Sequence, residues 1–406
     1  MNDSDRHRAG FEEFTRTAAA RERLLGAVTP TDDTERVALR RADGRIVATA
    51  VAADRPVPHY ERAAMDGYAV RASDTFGASE RAPASLRVTD TVRSGTATRV
   101  HTGSELPEGA DAVVMIEATE RTGDDLTVFE AVPAGGNVGP VGEDVAEGQQ
   151  LFEPGHRLRP SDLGLLKAVG LETVEVYARP RVSVVPTGEE LVGSDPEPGE
   201  IIETNGQTVA QYVEQWDGEA TYRGVVTDDA EALRAAIERD LDHDIVVTTG
   251  GSSVGERDIV PEVVAEMGEV FVHGVALKPG HPVALGAVEG TPVLVLPGYP
   301  VACIVNAVQF LRPAIAAAGR GPPVTLPTTE ARLARKVPSE PGVRTFARVT
   351  LEGDESGERT ATPTRTKGAG VLSSVALADG WVVVREEREG YAEGETVAVE
   401  TWEGGR

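Results

Sequence analysis

The chain has 406 residues, of which 40% are hydrophobic and 4% aromatic, so it is long enough for several domains with aliphatic cores. Its formal net charge of -26 argues against nucleic acid or anionic lipid as a partner, because phosphate groups require cationic surfaces. No membrane span or secretory signal is expected, since uncharged apolar runs of about 18 residues are lacking and residues 1–23 carry no apolar core.

Lysine and cysteine are both scarce. The basic residues are otherwise arginine, with lysine found at Lys167, Lys278, Lys336 and Lys367. This bias and the acidic surplus resemble proteins of salt-loving archaea, in which concentrated ions screen surface repulsion; an acidic binding face is the alternative. The lone Cys303 excludes an intrachain disulfide and a multi-cysteine metal site. We therefore expect a cytoplasmic, multidomain protein.

The first part of the chain predicts helices and one strand. Side chains with apolar portions recur every three or four residues over 12–25, which predicts a helix there, and a second helix is predicted over 35–39. A strand over 45–53 would end before Pro56 and Pro58, which would interrupt a β ladder. The sequence therefore predicts a linker at these prolines.

Short β-like runs follow between residues 63 and 145. They are separated by Gly, Pro and Asp, and they cover 85–92, 112–118 and 126–131. Ser161 is predicted to cap a helix that runs to Val169, and Gly170 suits the left-handed geometry at its end. Helical sequence on both sides indicates that the β module is inserted into an N-terminal domain.

The next region alternates strands with helices, which predicts a largely parallel, three-layer α/β domain that binds its ligand beyond the carboxyl ends of the strands. The predicted strands are 181–185, 220–226, 245–249 and 293–296, and the predicted helices are 208–216, 230–241 and 301–318. Beyond 319–323, strand-like runs predict a C-terminal β barrel or sandwich. These runs are 345–351, 381–385 and 396–401.

The predicted fold class is therefore a multidomain α/β plus β protein. It combines an N-terminal linker domain, an inserted mainly-β module, a three-layer α/β domain and a C-terminal β barrel or sandwich. The expected domain boundaries are 1–55 with 146–179, 56–145, 180–320 and 325–406.

The stretch 248–258 offers the clearest sign of chemistry because it follows a hydrophobic strand. Gly250 and Gly251 would let the backbone approach a ligand closely, and Ser252 and Ser253 could hold an anion with their hydroxyls. A plain strand-to-helix turn is the alternative. The pattern is neither a Walker loop nor G-x-G-x-x-G, which disfavours ordinary nucleotide kinases and dehydrogenases.

Two other turns also follow strands. In 296–300, Pro300 would begin a helix whose free N–H groups offer an anion contact, or the turn is merely rigid. In 186–190, two carboxylates reach the same edge of the sheet, or they are surface acids. Lys278 precedes a tight turn and is a candidate ligand for an anion, with a solvated surface lysine as the alternative.

The chain resembles the MoeA family of molybdopterin molybdenumtransferases. The resemblance rests on the three loops above and on further motifs in the family's order, at 64–70, 101–103, 106–115 and 142–144. It covers nearly the whole chain. The resemblance implies an L-shaped homodimer of four-domain subunits that takes molybdate and adenylylated molybdopterin, inserts the metal and releases AMP. A molybdopterin adenylyltransferase would be its pathway partner.

The resemblance also implies roles for particular residues. Asp258 and Glu190 would hold a divalent cation such as Mg²⁺, whose preferred ligands are oxygens, or would orient the pyrophosphate. Asp66, Thr102 and Asp144 would complete the catalytic site across the dimer interface. The pterin phosphate end would contact the glycines and serines of 250–253. The full set of implied substrate-binding residues is Thr187, Gly188, Gly250, Gly251, Ser252, Ser253, Gly255, Lys278, Pro297, Gly298 and Pro300.

The sequence departs from the family pattern at 139–141, where Gly-Pro-Val replaces an arginine run, and at Tyr299 and His281. These departures leave alternatives open. The chain could be a non-catalytic pterin-binding or scaffolding paralogue, or it could insert tungstate. The α/β domain alone would also suit a molybdopterin adenylyltransferase, although the additional β modules argue against that function.

Overall fold

A computed structural model describes residues 14–250, 259–353, 357–364 and 370–403. It confirms the predicted fold class, with an inserted β module, an α/β domain and a C-terminal barrel. Within these ranges the helices are Thr17–Ala27, Pro160–Ala168, Asn205–Gln215, Ala230–Arg239, Ile259–Met267, Pro300–Ala318 and Ser373–Ala376.

The N-terminal region is built from two separate stretches of chain. Strand Thr34–Ala38 pairs antiparallel with Thr173–Tyr177, and Val51–Ala52 pairs with Gln150–Phe152. Between the paired strands lies a small core that contains Leu39, Val47, Leu158, Leu166 and Val176.

The predicted helix over 35–39 is wrong, because these residues form the strand Thr34–Ala38 and the start of a short 3₁₀ turn. A five-residue segment cannot nucleate a helix by itself, whereas the distant strand Thr173–Tyr177 supplies its backbone partners. Tertiary pairing therefore overrides the local pattern. The first helix also begins later than expected, at Thr17, and Phe14 lies before it with its ring 5.6 Å from that of His281.

Ser161 is not the helix cap that the sequence predicts. The helix begins one residue earlier at Pro160, which needs no hydrogen-bond acceptor because it lacks an N–H. Arg159 is the capping residue, and its N–H donates to the Asp162 carboxylate at 3.0 Å. Gly170 follows the helix at a φ of +100°, as the sequence predicts.

The inserted module is an open six-stranded sheet. Its spatial order is Ala112–Met115, Gly67–Val70, Thr96–Val100, Ala84–Val88, Asp125–Val128, Thr119–Thr122. The predicted run 112–118 is a strand only as far as Met115, and Ile116–Ala118 is a 3₁₀ turn.

The α/β domain contains a mixed six-stranded sheet in the order Glu219–Tyr222, Arg181–Pro186, Ile245–Thr249, Thr291–Leu296, Ala284–Val288, Glu269–His273. The first four strands are parallel. Ala284–Val288 runs antiparallel to Thr291–Leu296, and Glu269–His273 pairs antiparallel with Ala284–Val288, so it points in the same direction as the first four. The sheet is largely parallel, as predicted, but the strands Ala284–Val288 and Glu269–His273 were not predicted. A tight turn with Glu289 and Gly290 at positive φ joins Ala284–Val288 to Thr291–Leu296, which permits a hairpin instead of a helical crossover.

The helix Pro300–Ala318 packs along this sheet and contains a π-helical turn at Ala307–Leu311. By length and composition it could cross a membrane, but 83% of its apolar window is buried within the protein. Phe310 and Leu311 are fully buried in the central core. Burial against protein accounts for the apolar character of this helix.

The C-terminal domain is a closed five-stranded barrel. Its strands follow one another as Arg344–Gly353, Arg359–Pro363, Thr328–Leu333, Thr396–Glu400, Gly380–Val384. The last strand pairs back onto the first, which closes the ring. Strand Leu277–Lys278 of the α/β domain pairs with Arg344 and Thr345 and ties the two domains together.

Aromatic side chains fix the barrel against the α/β domain. Trp402 stacks on Trp381 with ring centroids 4.4 Å apart, and Arg312 donates a hydrogen bond of 3.1 Å to the Trp402 carbonyl. The hydroxyl of Tyr212 donates to the Glu403 carboxylate at 2.5 Å. The two domains thus share one core, which sets the shape of the space between them.

Trp402→Ala should lower the free energy of unfolding by about 3–5 kcal/mol, because it removes a buried ring that is only 3% exposed. Urea denaturation at constant salt measures the change. Leu377→Ala is the matched control in the same domain, since Leu377 is 73% exposed and its truncation should stay within about 0.5 kcal/mol. Equal effects of the two substitutions would contradict this account of the shared core.

Candidate active-site cleft

A cleft of about 1270 Å³ separates the carboxyl edge of the parallel strands from the C-terminal barrel. Both domains contribute to its walls. The α/β side includes Glu190, Lys278, Pro297, Gly298 and Pro300, and the barrel side includes Ser339, Glu340, Thr345, Arg348 and Gly370. The barrel wall was not predicted from the sequence, which located the ligand only at the strand ends.

Three turns that are distant in the sequence meet at the base of this edge. The Gly250 N–H donates to the Leu296 carbonyl at 3.0 Å, and the Thr187 N–H donates to Thr249 at the same distance. Gly250 has a φ of +113°, and a Cβ at this position would overlap the Thr187 carbonyl. A Cβ built on Gly298 would lie 3.5 Å from the Gly250 Cα. Glycine is therefore needed at position 250, where these backbones pack.

Part of the predicted anion loop lies outside the described residues, namely Gly251, Ser252, Ser253, Gly255 and Asp258.

Two carboxylates converge beside Gly188. Burial, followed by the charges of Glu190 and Glu189, raises the pKa of Asp228, and the buried Asp228 Oδ1 has no hydrogen-bond partner among the described residues. The sequence analysis missed Asp228, although its position after the edge strand Glu219–Tyr222 parallels that of the recognised loops. Within the described ranges, no group of three His, Cys, Asp or Glu residues is arranged to hold a metal ion.

Asn205 is a second residue that the sequence analysis missed. It begins the helix Asn205–Gln215, and its Nδ2 donates to the Gly298 carbonyl at 2.6 Å. The bond holds the turn 296–300 against a neighbouring helix.

Two basic residues, Lys278 and His281, line the cleft on its α/β side. Lys278 Nζ lies 3.1 Å from Glu340 Oε1, so this lysine is paired across the cleft. His281 lines the same wall, and its pKa is lowered by burial and by the charge of Lys278. The imidazole of His281 therefore gives little positive charge near neutral pH.

Arg348 is the most unusual group in the cleft. It is only 2% exposed, and burial lowers the pKa of its guanidinium. Its Nη2 lies 3.4 Å from Ser374 Oγ, but its Nε has no acceptor and no carboxylate pairs with it in the part of the chain described. A buried cation without a carboxylate partner among the described residues is costly, and its Nε can donate to an anion that enters the cleft. The only sequence signal was a charged residue within a strand-like run.

The predicted residues of the inserted module lie apart from this cleft. Thr102 donates to Asp66 Oδ1 from its N–H at 2.7 Å and from its hydroxyl at 2.8 Å. These bonds, with the backbone bond strongest, lower the pKa of Asp66 to about 2. Asp144 is exposed elsewhere on the module. Asp66 and Thr102 are thus brought together, but none of these residues lines the cleft.

Comparison with protein families gives three consecutive matches. The region described as MoeA N-terminal region (domain I and II) matches residues 15–170. The probable molybdopterin binding domain matches residues 183–317, and the MoeA C-terminal region (domain IV) matches residues 330–402. Together the matches leave only short segments of the chain outside.

Individual relatives are similar over their full lengths. The molybdopterin molybdenumtransferase of Haemophilus influenzae is 32% identical, covering 94% of this chain and 97% of that relative. The enzyme of the same name from Bacillus subtilis is 33% identical, covering 90% and 89%. The crystal structure of a molybdopterin biosynthesis MoeA protein from Pyrococcus horikoshii is 32% identical, with a TM-score of 0.82, covering 96% of this chain and 100% of that one.

Gly250→Ala should lower the free energy of unfolding by about 2–3 kcal/mol, because the new Cβ would meet the Thr187 carbonyl at a positive φ. Gly298→Ala is the matched control, since its Cβ would make only an ordinary contact and should cost less than about 1 kcal/mol. Urea unfolding of both variants gives the comparison. A tolerated Gly250→Ala would refute the close packing of these turns.

Proposed function

The chain belongs to the MoeA family of molybdopterin molybdenumtransferases, and we propose that it inserts molybdenum into molybdopterin during molybdenum cofactor biosynthesis. Molybdate and adenylylated molybdopterin are the proposed substrates, and AMP is the proposed product released. The observation that carries the proposal is the cleft between the molybdopterin-binding domain and the barrel, which is lined by glycine turns and by Arg348, a buried arginine with no carboxylate partner among the described residues.

The chemistry of the cleft suits these substrates. Molybdate is a tetrahedral dianion, and an adenylylated pterin carries several phosphate charges. Arg348 and Lys278 both line the cleft and supply cationic donors, and Ser374 Oγ lies 3.4 Å from the Arg348 guanidinium. Charge-assisted hydrogen bonds of this kind are shorter and stronger than neutral ones, so they hold an oxyanion in one orientation. The protein acts by positioning and neutralising charge, without a covalent nucleophile.

A divalent cation, proposed as Mg²⁺, fits the carboxylates at the strand ends. Asp228 Oδ1 is buried without a partner among the described residues, and burial, followed by the nearby Glu190 charge, raises the pKa of Asp228. Oxygen ligands and mutual repulsion both favour a hard cation between these groups. Glu190 and Asp228 would hold it, together with Asp258 as the family resemblance implies. The cation would neutralise phosphate charge on the substrate.

A homodimer accounts for the residues that lie away from the cleft. Asp66, Thr102 and Asp144 are proposed to complete the site of a second subunit, as the family resemblance implies. Met65 and Val141, the neighbours of two of these segments, are large apolar side chains that are 44% and 49% exposed. A partner subunit would cover them.

The remaining features complete the proposal. The protein works in the cytoplasm without binding nucleic acid or membranes, and a molybdopterin adenylyltransferase supplies its substrate. The acidic surplus and the scarcity of lysine support adaptation to high salt, as in salt-loving archaea. Tungstate remains a competing oxyanion, because it has the same charge and shape as molybdate.

The purified protein should form molybdenum cofactor and release AMP when given adenylylated molybdopterin, Mg²⁺ and molybdate. Chromatography of AMP and metal analysis of the pterin product measure both outcomes, and parallel reactions with tungstate test the choice of metal. Pterin binding without AMP release would instead identify a non-catalytic paralogue. ATP-dependent adenylylation of free molybdopterin would identify an adenylyltransferase.

Arg348→Met should weaken molybdate binding at least about tenfold, because it removes charge-assisted hydrogen bonds. The same change should leave the free energy of unfolding unchanged or raise it, since the unpaired guanidinium pays a burial cost that methionine does not. Isothermal titration and urea denaturation measure the two quantities. Arg332→Met is the control, because Arg332 lies on the same barrel with its side chain 58% exposed. Loss of stability with unchanged affinity would assign Arg348 a structural role.

A further inference from the structure

Asn306 is a polar residue in the core directly beneath the turn that carries Lys278. It is completely buried in the helix Pro300–Ala318, immediately before the π-helical turn. Its Nδ2 donates to the Gly280 carbonyl at 2.9 Å and to the Ala302 carbonyl of its own helix at the same distance. Its Oδ1 has no partner among the described residues.

The turn approaches this amide very closely. Gly280 has a φ of +113°, and a Cβ at this position would overlap the Asn306 Nδ2. The hydrogen bond therefore joins the turn backbone to the helix across a contact that only glycine permits. Lys278 and His281 lie on either side of this anchored carbonyl and both line the cleft.

An apolar side chain at position 306 would fill the core without burying an amide oxygen that has no partner among the described residues. The asparagine thus carries a desolvation cost that packing alone does not explain. π-helical turns are rare in helices and occur often at functional sites, and this one begins at the next residue. These observations indicate that the asparagine at position 306 serves the cleft rather than the packing of the core.

We propose that Asn306 is a positioning residue, whose amide holds the turn 278–281 so that the Lys278 ammonium meets the bound oxyanion. The proposal rests on the function proposed above. A turn released from the helix would still carry its lysine, but the ammonium would sample positions away from the anion. Fixing a group in its productive place before binding lowers the entropy lost on binding.

The test is a double-mutant cycle on the full-length protein with molybdate alone as the probe. Asn306→Leu removes both hydrogen bonds while filling the space, and Asn306→Ala is a second variant if leucine disturbs packing. Each is combined with Lys278→Ala, and isothermal titration gives the Kd of all proteins at one salt concentration. Urea denaturation confirms that each variant is folded during titration.

Gln309→Met provides the matched control. Gln309 is a buried amide on the same helix, but its Oε1 accepts a bond of 2.6 Å from Arg21 on the N-terminal helix and does not reach the cleft. Its replacement should lower stability without changing the Kd for molybdate.

The Asn306 variants should raise the Kd about tenfold in the natural background, a size typical of residues that orient a ligand-binding group. In the Lys278→Ala background they should raise it less than about twofold, because the group that they orient is already gone. A full tenfold loss in both backgrounds, or no loss in either, would overturn the positioning role. Failure of the unsubstituted protein to bind molybdate would overturn the proposed function as well, which separates the two outcomes.

Discussion

The contact between Gly250 and the Thr187 carbonyl is the constraint on which the architecture of the cleft depends. Neighbouring parallel strands end side by side, so the turns that follow them compete for the same small space. Glycine at a positive φ lets one backbone lie against the next, and the Gly250 N–H then reaches Leu296. A turn with side chains at these positions would separate the loops and open the base of the cleft.

The second wall of the cleft comes from the barrel and is held by packing. Phe346 and Trp381 lie in the core that is shared with the α/β domain, whereas Ala347 and Val349 fill the barrel interior. Strand alternation thus places Arg348 on the face of Phe346, where it is buried yet unpaired by any described carboxylate. Burying a cation without a described carboxylate partner costs stability. The Trp402–Trp381 stack lies in the shared core that holds the barrel in place.

Local pattern predicted the fold best where burial is uniform. Ile245–Thr249 was predicted with its observed limits, because a short β-branched run that is buried on both faces is typical of a central parallel strand. The segment Thr34–Ala38 was misread because its partner strand lies more than 130 residues away. The strands Glu269–His273 and Ala284–Val288, which pair antiparallel with each other, were missed, because short apolar runs do not distinguish a hairpin from a helical crossover.

By itself, the sequence determined the family, the order of the domains and the strand-end turns that bear Thr187, Gly250 and Gly298, because these features depend on residues that are close in the chain. Only the tertiary structure decided that Asp228 lies near Glu190, that Arg348 and Lys278 line one cleft, and that Asn306 bonds to the turn at Gly280. Such contacts join segments that are far apart in the chain. Their formation depends on how whole domains pack, and the hydrophobic periodicity of a short segment cannot predict that packing.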